Sequence, residues 1–221
     1  VSAPLVPAGR AVRLGATAAV ASRSLLGATV AWLAALAAVY ASDAGPPRQP
    51  MAFTAALLFP VAAWATAAML AAGSDDLRAV LTAADGRGRV LVADTALPLA
   101  WVAGAALTGV LAPLLFDPHP APATSYLLGA LLHVLCGAAG AALALLLHAL
   151  RVRPGVQLLV VVLTGLVSGR LAVLPPIGPV LAAWSGDADP APAAAVWSFA
   201  GPLLATAGLV VAAARTRRRR G

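Results

Sequence analysis

Few side chains in this sequence can ligate a metal, move a proton or attack a substrate. All acids are aspartates, all strong bases are arginines, and to these are added three histidines and Cys136. His133 and Cys136 stand three apart, so on a helix they point in similar directions. A ligand or cofactor contact through His133 is one reading, and a packed interhelical donor is the other. His119 lies between two prolines, and His119, His133 and His148 do not fall at metal-ligand spacing. One cysteine excludes an intrachain disulfide and a cysteine metal cluster. Asp43, Asp117, His119, Asp187 and Asp189 would suit acid–base work if gathered at one interface, yet all lie in turn-like linkers where such residues are ordinary. Arg170 is a charge within an apolar run. An arginine in hydrocarbon is expensive, so it should snorkel, line a path, meet an anionic headgroup or pair with Asp187 or Asp189. No Gly-rich phosphate loop with Lys and Ser or Thr occurs, so any ATP would be bound by another chain.

The scaffold for these groups follows from composition. The chain has 221 residues, 61% of them hydrophobic and only 10% charged, against about 25% charged in soluble domains. A surface so poor in charge must be covered by lipid. Apolar segments run over 16–41, 51–72, 95–116, 123–150, 156–174 and 193–214, which predicts an all-α integral membrane protein of six spans and a single transmembrane domain over 1–221. In the first of these, Arg23 would snorkel. A cleaved signal peptide, with Val39-Tyr40-Ala41 before Ser42, competes with an uncleaved span. Positive charge tests the topology. One side receives Arg10, Arg13, Arg78, Arg87, Arg89, Arg151, Arg153 and the tail Arg215, Arg217, Arg218, Arg219 and Arg220; the other receives Arg48 alone. Both termini are therefore expected in the cytoplasm of a bacterial plasma membrane. The basic tail reads as a topology anchor, with no nucleic acid implied. Gly129, Gly137 and Gly140 give the fourth span a helix-contact composition. Trp101 and Trp197 read as interface anchors, Trp184 as a headgroup-level residue, and Trp32 and Trp64 as packed between helices.

The longest polar interruption is Ser74 to Asp94, SDDLRAVLTAADGRGRVLVAD. Ser74, Asp75 and Asp76 suit a helix N-terminus, Leu77, Val80 and Leu81 share one face, and Asp85-Gly86 is a stop-and-turn pair. A short amphipathic helix over 75–84 is predicted at the cytoplasmic surface between spans two and three, with Arg87 and Arg89 near lipid phosphates. It would either hold two spans together as an interfacial hairpin or dock on a partner. A second short helix is predicted around Val180 to Trp184, interfacial or re-entrant.

The stretch DLRAVLTAADGRGRVLVAD, the six-span layout and the proline-containing 174–184 segment resemble the permease subunits of type-2 ABC exporters. The resemblance implies a coupling helix that docks on a separate cytoplasmic ATPase through Asp75, Asp76, Leu77, Arg78, Leu81, Asp85, Arg87 and Arg89. It also implies ATP on that partner, no cofactor in this chain, a second permease copy or a homologous permease, and Arg170 and His133 as candidates for the pathway or an interface. The competing classes are an integral membrane enzyme of lipid or envelope metabolism and a non-catalytic scaffold.

Overall fold

A computed structural model describes residue 17 and residues 23–41, 44–73, 75–116, 118–184 and 190–219. The leader with Arg10 and Arg13, together with Asp43, Ser74, Asp117, Asp187, Asp189 and Arg220, lies outside them, as do the side chains of Asp75, Asp76, Leu77, Arg78, Asp85, Arg87, Arg217, Arg218 and Arg219. The described elements are α1 (Arg23–Tyr40), α2 (Arg48–Ala72), α3 (Asp75–Asp85), α4 (Arg87–Phe116), α5 (Ala123–Ala149), α6 (Pro154–Arg170), α7 (Gly178–Trp184) and α8 (Pro192–Arg219). Five of them, α1, α2, α4, α5 and α8, are long and apolar enough to cross a bilayer. With 17 residues, α6 reaches only ~26 Å against a hydrocarbon core of ~30 Å. Over its described residues the chain is all-helical, with the several long apolar helices of a multi-pass membrane protein.

The centre is the pair α2 and α5, which make the most extensive contact in the bundle. They run parallel: Met51 meets Gly129, Thr54 meets His133, and the Phe59 backbone meets Gly140. On one side α1 and α4 close a core of Trp32, Leu36, Leu58, Val102 and Ala105. They too are parallel to each other, since Trp101 Nε1 donates to Thr29 Oγ1 at 3.2 Å and Trp32 Nε1 donates to Thr108 Oγ1 at 2.9 Å. Ser24 at the start of α1 meets Trp64 near the end of α2, so the two pairs are antiparallel, as successive crossings require. On the other side α6, α7 and α8 complete a second core around Phe59, Cys136, Leu143, Ile177 and Val180. The outward faces are apolar and exposed, with Leu26, Val30 and Leu33 on α1 and Leu158, Leu159 and Leu166 on α6. Lipid supplies the contacts these side chains lack within the chain.

Two boundaries differ from the sequence expectation. α4 begins at Arg87, not near Thr95, because the charged residues of GRGRVLVAD continue a helix whose Val90 and Ala93 are already buried. The connection between α3 and α4 is reduced to Gly86, whose φ of +84° is left-handed and suits glycine. Its amide donates to Thr82 O at 3.1 Å and its carbonyl accepts from Arg89 N at 3.2 Å, ending one helix and starting the next.

α6 stops at Arg170 instead of running to Leu174. Buried Ser168 is the reason: its Oγ donates to Leu174 O at 2.7 Å and accepts from Ile177 N at 2.9 Å and Gly178 N at 3.1 Å. This folds 171–177 back as a turn and delivers the chain to α7. Arg170 is therefore an exposed residue at a helix end, not a charge deep in a span, and it shares the end of the bundle that holds Arg48. Replacing Ser168 by alanine strands Ile177 N, whereas Leu174 O and Gly178 N keep their own bond at 3.2 Å, and is expected to cost about 2 kcal/mol. Thermal unfolding in mixed micelles measures it; an unchanged midpoint means the turn is held by other contacts.

The tryptophans also differ in part. Trp101 lies in the middle of α4, half-buried, because that helix starts two turns early. Trp184 is 9% exposed; its Nε1 donates to Ser198 Oγ at 2.9 Å, and the Arg48 guanidinium sits 5.0 Å from its ring centroid. Trp64, expected between helices, does pack against Ser24 and Gly27 of α1 but remains partly exposed, whereas Trp32 is buried.

Candidate functional site

Three places bear on function. The first is α3, an 11-residue helix packed chiefly against α4. It is strongly amphipathic while the spans around it are nearly uniform in polarity. The predicted docking residues Asp75, Asp76, Leu77, Arg78 and Asp85 fall on this helix, and Arg87 opens the next one. Leu81 and Arg89 are half-buried, and Val80 is 64% exposed. The predicted apolar face is thus partly open. In a membrane protein that suits a helix at an interface or against another protein.

The second is a polar cluster inside the bundle. His133 on α5 is fully buried. Its Nδ1 lies 2.7 Å from Gly129 O, and because a carbonyl only accepts, Nδ1 carries the hydrogen. In the uncharged ring Nε2 then accepts from Thr54 Oγ1 at 3.0 Å on α2. The ring also meets Trp32 of α1 edge-on, with centroids 6.0 Å apart at 74°, and Gly109 of α4 leaves room for its Nε2. One imidazole thereby touches four helices. Cys136, one turn on, is buried in the other core. Among the described residues no group of three or more His, Cys, Asp or Glu could hold a metal ion. His133 is built as an interhelical contact. An interhelical role is one of the two readings its sequence context offers, but its partners could not be read from a histidine in a run of small and apolar residues.

The third was missed by sequence reasoning. A cavity of about 590 Å³ opens between the start of α1, the last turns of α2, the end of α5 and the start of α6. Its walls are mostly Ala, Leu, Val and Pro, with Ser24, Trp64, His148 and Gln157 as polar points. Trp64 Nε1 donates to Ser24 Oγ at 3.3 Å, and Gln157 Nε2 donates to Val152 O at 2.7 Å. Pro60 in its wall removes the donor that the Ala56 carbonyl would use in an unbroken helix. Four elements contribute, through residues that are individually ordinary in apolar runs, so no local pattern could announce it.

No family model matches the chain, and neither a curated protein nor a solved structure is similar to it.

Proposed function

We propose that this chain is the membrane-spanning subunit of an ATP-driven exporter whose ATPase is a separate cytoplasmic protein. In this reading six segments cross a bacterial plasma membrane, the short α6 among them, and both termini are cytoplasmic. Two copies, or one copy and a homologous permease, form the path. ATP binds to the partners, and α3 carries their closure into α2 and α4.

The observation that supports the reading most is α3 itself: an amphipathic helix at the arginine-rich end, joined to α4 through one glycine and packed against it. Such a helix can transmit a push to a span because no slack loop separates the two. The short α7 before the last long helix agrees with the same layout.

The test pairs the purified full chain with candidate soluble ATPases in proteoliposomes and measures hydrolysis. Stimulation by the wild type is expected, with a drop of about tenfold, equivalent to about 1.4 kcal/mol of lost docking, for Asp75→Arg, Asp76→Arg or Arg78→Asp. Elution of each variant as intact, monodisperse protein separates uncoupling from unfolding. Full stimulation by all three reversals, or none by the wild type with any candidate, ends the proposal.

A further inference from the structure

We propose that the 590 Å³ cavity holds an acyl chain of one anionic phospholipid from the leaflet at the arginine-rich end, with its phosphate bound by Arg151, Arg153 and Arg23. The volume lies within the ~300–1,000 Å³ of small-ligand sites, and the walls offer an alkyl chain apolar contact from three helices, α2, α5 and α6. No acid lines it. A gap of this kind inside a membrane bundle is poorly served by water, since few polar partners are present to hold it.

Positive charge adjoins the lining in the chain. Val152 and Pro154 line the cavity, and Arg151 and Arg153 are their chain neighbours; Arg23 precedes the lining Ser24. All three arginines are exposed. Their guanidinium groups match phosphate by paired N–H donors. An alkyl-lined interior adjoined by arginines is the complement of an anionic lipid.

Arg151 supplies an independent observation. α5 ends in a Schellman cap: Arg151 N donates to His148 O at 2.9 Å and Val152 N donates to Leu147 O at 3.0 Å. That cap places Arg151 at φ +56°, the left-handed region, where glycine is the usual residue because a Cβ is strained there. Leu147 and His148, which accept the two bonds, both line the cavity. A topology anchor would work from any exposed position nearby. It does not account for an arginine held, against backbone preference, on the cap that edges this cavity.

The experiment uses the full chain in an uncharged detergent, titrated with dioleoyl phosphatidylglycerol or dioleoyl phosphatidylcholine, with retained lipid counted by native mass spectrometry. One phosphatidylglycerol per chain is expected, preferred over phosphatidylcholine by at least about fivefold, the effect of one arginine near a lipid phosphate. Arg151→Gly should lower that preference about fivefold while raising the melting temperature of the lipid-free protein, since glycine relieves the cap. Ala71→Trp fills the mouth from the exposed side of α2, and Leu158→Phe does so from α6; each should lower phosphatidylglycerol retention by roughly tenfold or more, the loss of about 1.4 kcal/mol of binding. Equal retention of the two lipids by the wild type overturns the proposal. So does phosphatidylglycerol binding that survives both filling variants, which would mean adhesion to surface arginines alone, and so does binding of neither lipid, which would assign the space to another occupant such as residues 1–22. The outcome is separate from ATPase coupling, because the α3 charge reversals leave this cavity untouched.

Discussion

Substituting Gly140 by valine is expected to disrupt the bundle, and even Gly140→Ala to lower its stability by roughly 3 kcal/mol. A Cβ on Gly140 would run into the carbonyl oxygen of Phe59, with Phe59 C at 2.9 Å and Ala63 N at 3.2 Å. All three atoms are backbone, so no rotamer change relieves the collision and α2 must move away from α5. That contact is the most extensive in the fold, and without a hydrophobic driving force in lipid, helix association depends on such close packing. Two neighbours calibrate the expectation. At Gly137 the nearest obstacle is Val102 Cγ1 at 2.7 Å, a side chain on α4 that can shift, so alanine there should cost about 1 kcal/mol. At Gly104 nothing lies within 4 Å, and alanine should be neutral or stabilising by up to about 1 kcal/mol through helix propensity. Unfolding in mixed micelles that ranks the three alanine variants in any other order would show that α2 and α5 do not meet through Gly140.

The helices that build this contact are legible in the sequence because hydrophobic length alone demands them: every long apolar run forms a helix, and Gly129, Gly137 and Gly140 fall where α5 meets its neighbours. The stop at Gly86 is legible as well, since its signal is local. What cannot be read depends on register between distant segments. Thr54 and His133 are 79 residues apart, and Trp32 and Thr108 are 76 apart; each partner alone is an ordinary residue in an apolar run. Ser168 ends α6 through bonds to Leu174, Ile177 and Gly178, so hydropathy runs about one turn past the true end. For α4 hydropathy errs the other way and starts the helix too late. It falls at Arg87, Arg89 and Asp94, but helix propensity does not, and the element begins where the backbone can start rather than where lipid does. The sequence break at Arg151-Val152-Arg153-Pro154 is visible, yet the left-handed arginine within it is not, because glycine is the residue that normally marks that cap.

His133→Ala is expected to destabilise the protein by about 3 kcal/mol, and most of that should come from packing. The bond to Thr54 is the more conspicuous feature, but interhelical hydrogen bonds in membrane proteins average only about 0.6 kcal/mol and reach about 1.7 at most. Here the partners also have fallbacks. Thr54 Oγ1 lies 2.9 Å from Pro50 O in its own helix and can donate there when the imidazole is gone. The imidazole itself fills space between Trp32, Gly109 and α2, and truncating a buried side chain of that size leaves a void costing about 2–4 kcal/mol. A double-mutant cycle with Thr54→Val separates hydrogen bonding from packing: the coupling between His133 and Thr54 should come out near about 0.6 kcal/mol, well below the cost of His133→Ala alone. Coupling that accounts for nearly the whole loss would make the hydrogen bond the larger contribution and refute this account. The same variant also decides between packing and pathway. Under the exporter function proposed above, reduced export in proportion to reduced folded protein identifies His133 as a strut across four helices. Unchanged stability with abolished export would instead place its ring on the route of the substrate, through a change of structure that exposes it.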